Sequence, residues 1–222
     1  AVALAAPRDT AASNNLANFE GAALELAWRS RDIPSATAAG RRLLGRLQTM
    51  RDLTEPAQRI AYEQWTKETE QRMTQLSKAS IVAEAANAAE LIKLPEETEL
   101  LDFRAAARLK KGDLAASRKV AEQMSAGAAK SGTALWVTAQ RLASIHRAAS
   151  PAEREEDARR CLAVLTECYE LGLFRALDGA TRLEYGTEFQ ELFKRADFRK
   201  LLDKIHADTR PVETPRTGNA TT

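Results

Sequence analysis

The stretch from Pro95 to Met124, PEETELLDFRAAARLKKGDLAASRKVAEQM, decides the fold class. It reads as two helices separated by Gly112 and Asp113. Glycine takes up, without a Cβ clash, the left-handed conformation that closes a helix, and aspartate accepts hydrogen bonds from the free N–H groups that open the next. Helix, tight turn, helix is therefore the expected unit, and the rest of the chain repeats it.

A similar turn at RSRDIP divides two segments. Before it, Leu16, Phe19, Ala23 and Leu26 recur at helical spacing; after it, Ala36, Leu43, Leu47 and Met50 share a face. Pro34 suits a first turn, where its missing N–H costs nothing. The spacing from Asp52 to Glu55 ahead of Pro56 resembles a capping box and predicts a third helix, to about Lys78. Its stripe is Tyr62, Trp65, Met73 and Leu76, with TKETEQR solvating the other faces. The alanine-rich SIVAEAANAAELIK follows and stops at Pro95. The sharpest start signal is SPAE, with Ser150 as N-cap, Pro151 at the first position and Glu153 three residues after the cap; that helix runs to Gly172. No alternating Val/Ile/Thr run of strand length occurs. The expected class is all-α.

Composition agrees. Hydrophobic residues at 44% and charged residues at 29% describe a soluble globular chain, and aromatics at only 5% beside many alanines favour close-packed helices. A net charge of +2 compels neither nucleic acid nor an anionic membrane as partner. No run approaches the roughly 18 apolar residues of a membrane span. Cys161 and Cys168 lie seven apart on one helix, about 10.5 Å between Cα atoms at 1.5 Å per residue. That exceeds the roughly 7 Å reach of a disulfide, so both are expected as small buried side chains.

The helices group in pairs around RD and GD turns, with a looser pair from about Gly132 to Gly172. This arrangement resembles a degenerate tetratricopeptide array, in which each pair buries its apolar face on the next. Ala105, Gly112, Asp113 and Ser117 match the small–turn–small pattern, and Ala139 and Ala158 match it in the third pair. The segments EEDARRCLAVLTECYELGLF (Glu155–Phe174) and EFQELFKRADFRKLLDKI (Glu188–Ile205) are similar to the end of the repeat regions that follow the catalytic domain in bacterial eukaryote-like serine/threonine protein kinases. The matching residues are Ala158, Leu162, Leu165, Gly172, Leu192, Arg195, Asp197, Phe198, Leu201 and Leu202. The likeness covers about Ser131 to Ile205 and departs at YGTEF. It implies a right-handed array of antiparallel helix pairs over 13–206, closed by a capping helix, between flexible ends at 1–12 and 207–222. It also implies a regulatory or scaffolding segment of a larger bacterial signalling protein, tethered beside a membrane through an upstream segment.

The capping role has a physical reason. A terminal repeat exposes an apolar face, and a last helix with Phe198, Leu201, Leu202 and Ile205 inward and Lys194, Arg195, Lys200 and Lys204 outward covers it.

Catalytic signals are missing. His146 and His206 stand outside any ligand pattern, and there is no GxSxG, P-loop, GxGxxG or kinase signature. Neither enzymatic activity nor a cofactor or metal is expected. Between Arg29 and Arg51, six arginines face one aspartate; between Glu84 and Asp102, six acids face one lysine. Arg42 and Arg46, four apart on one flank, are the candidate ligand-binding residues, able to grip an acidic or phosphorylated peptide by bidentate pairing. A solvated face is the plainer reading of the same charges. An exported or free-standing helical subunit, or a nucleic-acid-associated repeat using the basic first pair, stays open as the alternative.

Overall fold

The computed structural model describes residues 10–54, 56–84, 98–128, 131–175 and 179–209. The expectations for 1–9, for 85–97 with its alanine-rich run and Pro95, and for 210–222 lie outside the described residues. Those described form α1 (Thr10–Arg29), α2 (Ile33–Leu53), α3 (Pro56–Glu84), α4 (Thr98–Lys110), α5 (Leu114–Ala128), α6 (Gly132–Ala148), α7 (Pro151–Glu170), α8 (Gly179–Tyr185), a 3-10 helix (Thr187–Lys194) and α9 (Ala196–Thr209). No strand occurs among them, so the all-α class holds. Helix α1 begins at Thr10, inside the stretch expected to be flexible, and α9 continues to Thr209.

The chain divides into two compact units, Ala1–Lys93 with Leu100–Lys111, and Leu94–Glu99 with Gly112–Thr222. In the first, α1 packs on α2 and α2 on α3. Arg31 makes the α1–α2 turn with a left-handed φ of 54°, and the Asp32 carboxylate accepts from Ser35 N to cap α2. Ala36, Leu43, Leu47 and Met50 are all buried, as the spacing predicts, against Leu24 and Trp28 of α1, Leu76 of α3 and Phe103 of α4.

Of the stripe that announces α1, Ala23 packs against the core but the three larger residues do not. Leu16, Phe19 and Leu26 are 46%, 69% and 71% exposed, whereas Ala17, Glu20, Leu24, Ala27 and Trp28 face inward. Two apolar stripes coexist on α1, and the position of α2 selects between them.

Two further expectations are corrected. Asp52 does not open α3: it lies in the last turn of α2 and accepts hydrogen bonds from the Arg51 guanidinium at 3.0 and 3.1 Å. Pro56 is nevertheless the first residue of α3. That helix also passes Lys78 without a break and runs to Glu84, because Ala79, Val82 and Ala83 continue the buried seam.

In the second unit Gly112 has φ 77°, and the Asp113 carboxylate accepts from Ala116 N at 3.0 Å, as the turn chemistry requires. Ser117, Ala139 and Ala158 are fully buried where α5, α6 and α7 pack together. Ser150 precedes Pro151 at the head of α7, but its hydroxyl donates to the Glu153 carboxylate at 2.7 Å and makes no bond to the backbone. Gly172, at φ 75°, follows the end of that helix. Cys161 and Cys168 are buried free thiols; burial holds Cys161 far above the usual thiol range and pushes Cys168 up to about 12.

The C-terminal segment is anchored by aromatic rings. Phe189 and Phe198 stack at 6.5 Å between centroids; Trp136 of α6 meets Phe189 at 5.5 Å and Phe174 at 5.9 Å, and Phe193 meets Phe198 edge-on at 5.1 Å. Phe198, Leu202 and Ile205 are buried, Leu201 is half-buried, and Lys194, Lys200 and Lys204 point outward. Arg195 departs from the expected solvated set: its guanidinium bridges Glu155 of α7 and Asp197. Each large apolar side chain buried here contributes roughly 1.5 to 3 kcal/mol. The YGTEF departure also has a use. A Cβ on Gly186 would lie 2.8 Å from both the Arg182 carbonyl and the Phe189 ring, so only glycine lets the chain turn beneath that ring.

Candidate functional site

Helix α2 is amphipathic in a way that builds a wall as well as a core. Leu43, Leu47 and Met50 face inward, and the flank beside them carries Arg42, Arg46, Thr49 and Leu53, three or four residues apart. With Ser13 of α1 and Gly45, these residues line an open cleft of about 320 Å³. Gly45 forms its floor: a Cβ there would meet nothing within 4 Å. The Thr49 hydroxyl donates to the Gly45 carbonyl at 2.9 Å.

The two candidate arginines, brought to one cleft, differ in state. Arg42 Nε donates to both oxygens of Glu20 at 2.9 Å. The Glu20 side chain is 9% exposed and that of Arg42 55% exposed, so the arginine works as the counter-ion that lets a carboxylate sit at the edge of the core. Arg46 has no such partner among the described residues. Its Nε is buried and makes no hydrogen bond among the described residues.

Three more arginines of the basic stretch are paired within the unit, and Arg41 is exposed. Arg29 pairs with Glu25, Arg31 with Asp102 and Arg51 with Asp52. The Arg31–Asp102 pair, at 2.5 Å, is 8% and 5% exposed, and the same guanidinium lies 4.6 Å over the Phe103 ring. From the acidic stretch, Asp102 is thus consumed, and Glu84 takes Lys111 at 3.2 Å. The polarity written along the chain therefore closes on itself in part. Glu25 also receives Arg72; burial alone would raise its pKa, but hydrogen bonds from Arg72 and Arg29 outweigh that and lower it.

Other surfaces carry less. A cleft of about 280 Å³ beside Leu24, Leu43 and Trp65 contains Arg72, already spent on Glu25. A shallow hollow of about 530 Å³ lies along α3 among Ile60, Glu63, Lys67 and Glu68, with charges of both signs. His146 Nδ1 lies 2.9 Å from the Arg154 carbonyl, and His206 Nε2 lies 2.9 Å from Glu184. Among the described residues no cluster of His, Cys, Asp or Glu is placed to hold a metal ion, and no helix is long and apolar enough to cross a membrane.

Sequence reasoning finds Arg42 and Arg46 but misses Glu20, Gly45 and Thr49. Glu20 carries a faint signal, an acid at the midpoint of α1 directly after an alanine- and asparagine-rich first half. Gly45 looks like a helix weakness until its open surroundings are seen. No protein-family model, curated protein or solved structure matches this chain.

Proposed function

We propose that the chain is a non-catalytic interaction module that binds an acidic segment of another protein in the α1–α2 cleft. Its helices form a degenerate tetratricopeptide-like array capped by α9, and it serves as a regulatory or scaffolding part of a larger bacterial signalling protein such as a serine/threonine kinase. One observation carries the binding reading: Arg46 lines an open cleft with its Nε buried and unpaired, while its neighbour Arg42 is already neutralised. Helical arrays recognise extended or helical ligands on such inter-helix surfaces.

Nucleic acid is the less suited partner. Single-strand binding draws on aromatic stacking platforms, and Trp28, the aromatic at the edge of the basic segment, is buried edge-on against Phe103 at 5.1 Å.

The test is capture from an acidic peptide library by wild type and by Arg46→Glu, with a single-stranded oligonucleotide in parallel. Arg42 is left intact because reversing it would set two carboxylates together at Glu20. Acidic-peptide binding that disappears in Arg46→Glu supports the proposal. Salt-sensitive oligonucleotide binding lost in the same variant would replace it with the nucleic-acid reading.

A further inference from the structure

We propose that the cleft accepts one carboxylate side chain of the partner peptide, seated on Arg46, with a neighbouring aliphatic side chain of that peptide against Met50 and Leu53. This rests on the reading of the chain as a peptide-binding module and names what that module selects: a carboxylate in preference to a phosphate.

Three features of the cleft lead there. The first is charge. Arg42 is cancelled by Glu20, so Arg46 leaves the cleft one net positive charge. A carboxylate matches that valence. A phosphate monoester, at about −1.5 to −2 near neutral pH, would leave uncompensated negative charge close to the buried Glu20 carboxylate.

The second is the freedom of the cation. Arg42 cannot turn toward a ligand without stranding Glu20. Arg46 forfeits no hydrogen bond at Nε when it turns, and an incoming carboxylate would supply the acceptor that Nε lacks. The Nε and Nη edge of a guanidinium takes a carboxylate in two parallel hydrogen bonds, which fixes orientation as well as charge.

The third is the composition of the walls. Met50 and Leu53 border the cleft beside the cation, and Leu53 is 41% exposed, an apolar surface ready to be covered. The volume of about 320 Å³ is at the small end of ligand sites, which span roughly 300 to 1,000 Å³. It suits a short piece of chain.

The experiment is a heteronuclear NMR titration of the full chain with four short blocked peptides. The first has a glutamate between two leucines. The others replace the glutamate by glutamine, the glutamate by phosphoserine, or both leucines by serine. The glutamate peptide is expected to bind at least about tenfold more tightly than the glutamine one, the value of a charge-assisted hydrogen bond, and to beat the phosphoserine and serine-flanked peptides. Amides of Gly45 to Leu53 should move. Arg46→Gln should remove the preference for glutamate, and Gly45→Phe should block binding altogether while the remaining amide spectrum stays native, since the floor is open. Phosphoserine binding as tightly as glutamate would overturn the proposal. So would glutamate binding that survives both substitutions, although the module reading would then stand. Failure of every acidic peptide to bind would overturn both.

Discussion

In the first unit a buried arginine, Arg31, is neutralised by Asp102 beneath the Trp28–Phe103 pair, whereas in the second a chain of rings from Phe174 through Trp136, Phe189 and Phe198 to Phe193 fills the equivalent role. The contrast extends to the surface. Leu16, Phe19, Leu26, Leu53, Ile60 and Ile81 are exposed in the first unit, against Leu171 and Tyr185 in the second. Apolar rings fill space without needing a partner of opposite charge, and the second unit seals its end with them. Polar pairs sit in or beside the core of both units, Arg31–Asp102 and Arg42–Glu20 in the first and Arg118–Asp157 in the second, and a polar pair has to be completed at every site or leave a group such as Arg46 unsatisfied.

The comparison is broken most directly by removing one member of each core. Phe198→Ala should destabilise the second unit by about 3 to 5 kcal/mol through loss of a buried ring. Arg31→Ala should cost the first unit about 3 to 5 kcal/mol for the different reason that Asp102 is left charged and buried. Denaturant unfolding gives the totals, and amide exchange in α2 and in α7 assigns each loss. If the difference between the units is sound, Arg31→Met combined with Asp102→Leu recovers most of the deficit, while no partner change rescues Phe198→Ala. Equal exchange increases in both helices for either variant would erase the distinction.

Arg42→Ala should have a smaller effect, about 1 to 3 kcal/mol, by leaving the Glu20 carboxylate without its donor. Arg46→Ala should be close to neutral for stability. Thermal unfolding of the two variants side by side sharpens the assignment of one arginine to the fold and the other to the cleft; equal midpoints would undo it. Gly45→Ala should raise stability by up to about 1 kcal/mol, the helix-propensity difference, because nothing surrounds the new methyl group.

The smallest expected change is in pH dependence. In the second unit Arg118 forks onto Asp157 and reaches Glu153. The hydrogen bond from Arg118, helped by that from Ser150, holds the Glu153 carboxylate down to about 2 from its ordinary 4.5. A depressed carboxylate contributes stability above its unfolded pKa and loses it as the pH falls through the folded one. Stability should therefore decline from about pH 4.5 toward pH 2, and Glu153→Gln should flatten that acid limb. A limb unchanged by the substitution would show that Glu153 is screened by solvent and contributes nothing.

Much of the architecture was legible because it depends on neighbours in sequence. The Gly112–Asp113 turn, the Pro151 start, the buried face of α2 and the inward Phe198, Leu202 and Ile205 all follow from backbone conformation and helical period. The failures share a cause. Asp52 has the spacing of a cap, yet the last turn of α2 keeps hold of it. The cleft was half-legible for the same reason: its arginines are four apart, but the carboxylate that separates their roles lies 22 residues before Arg42.

The sequence by itself determined that this protein is helical, where most of its helices turn and which residues could bear charge chemistry, since local propensity, capping and periodicity act within a few residues. Only the tertiary structure decided that α1 buries Glu20, Leu24 and Trp28 and leaves Phe19 outside, that Arg31 belongs to Asp102 across 71 residues, and that Arg42 is bound while Arg46 is not. Burial and Coulomb attraction are set by what stands opposite in space, and the spacing of residues along a helix does not contain that information.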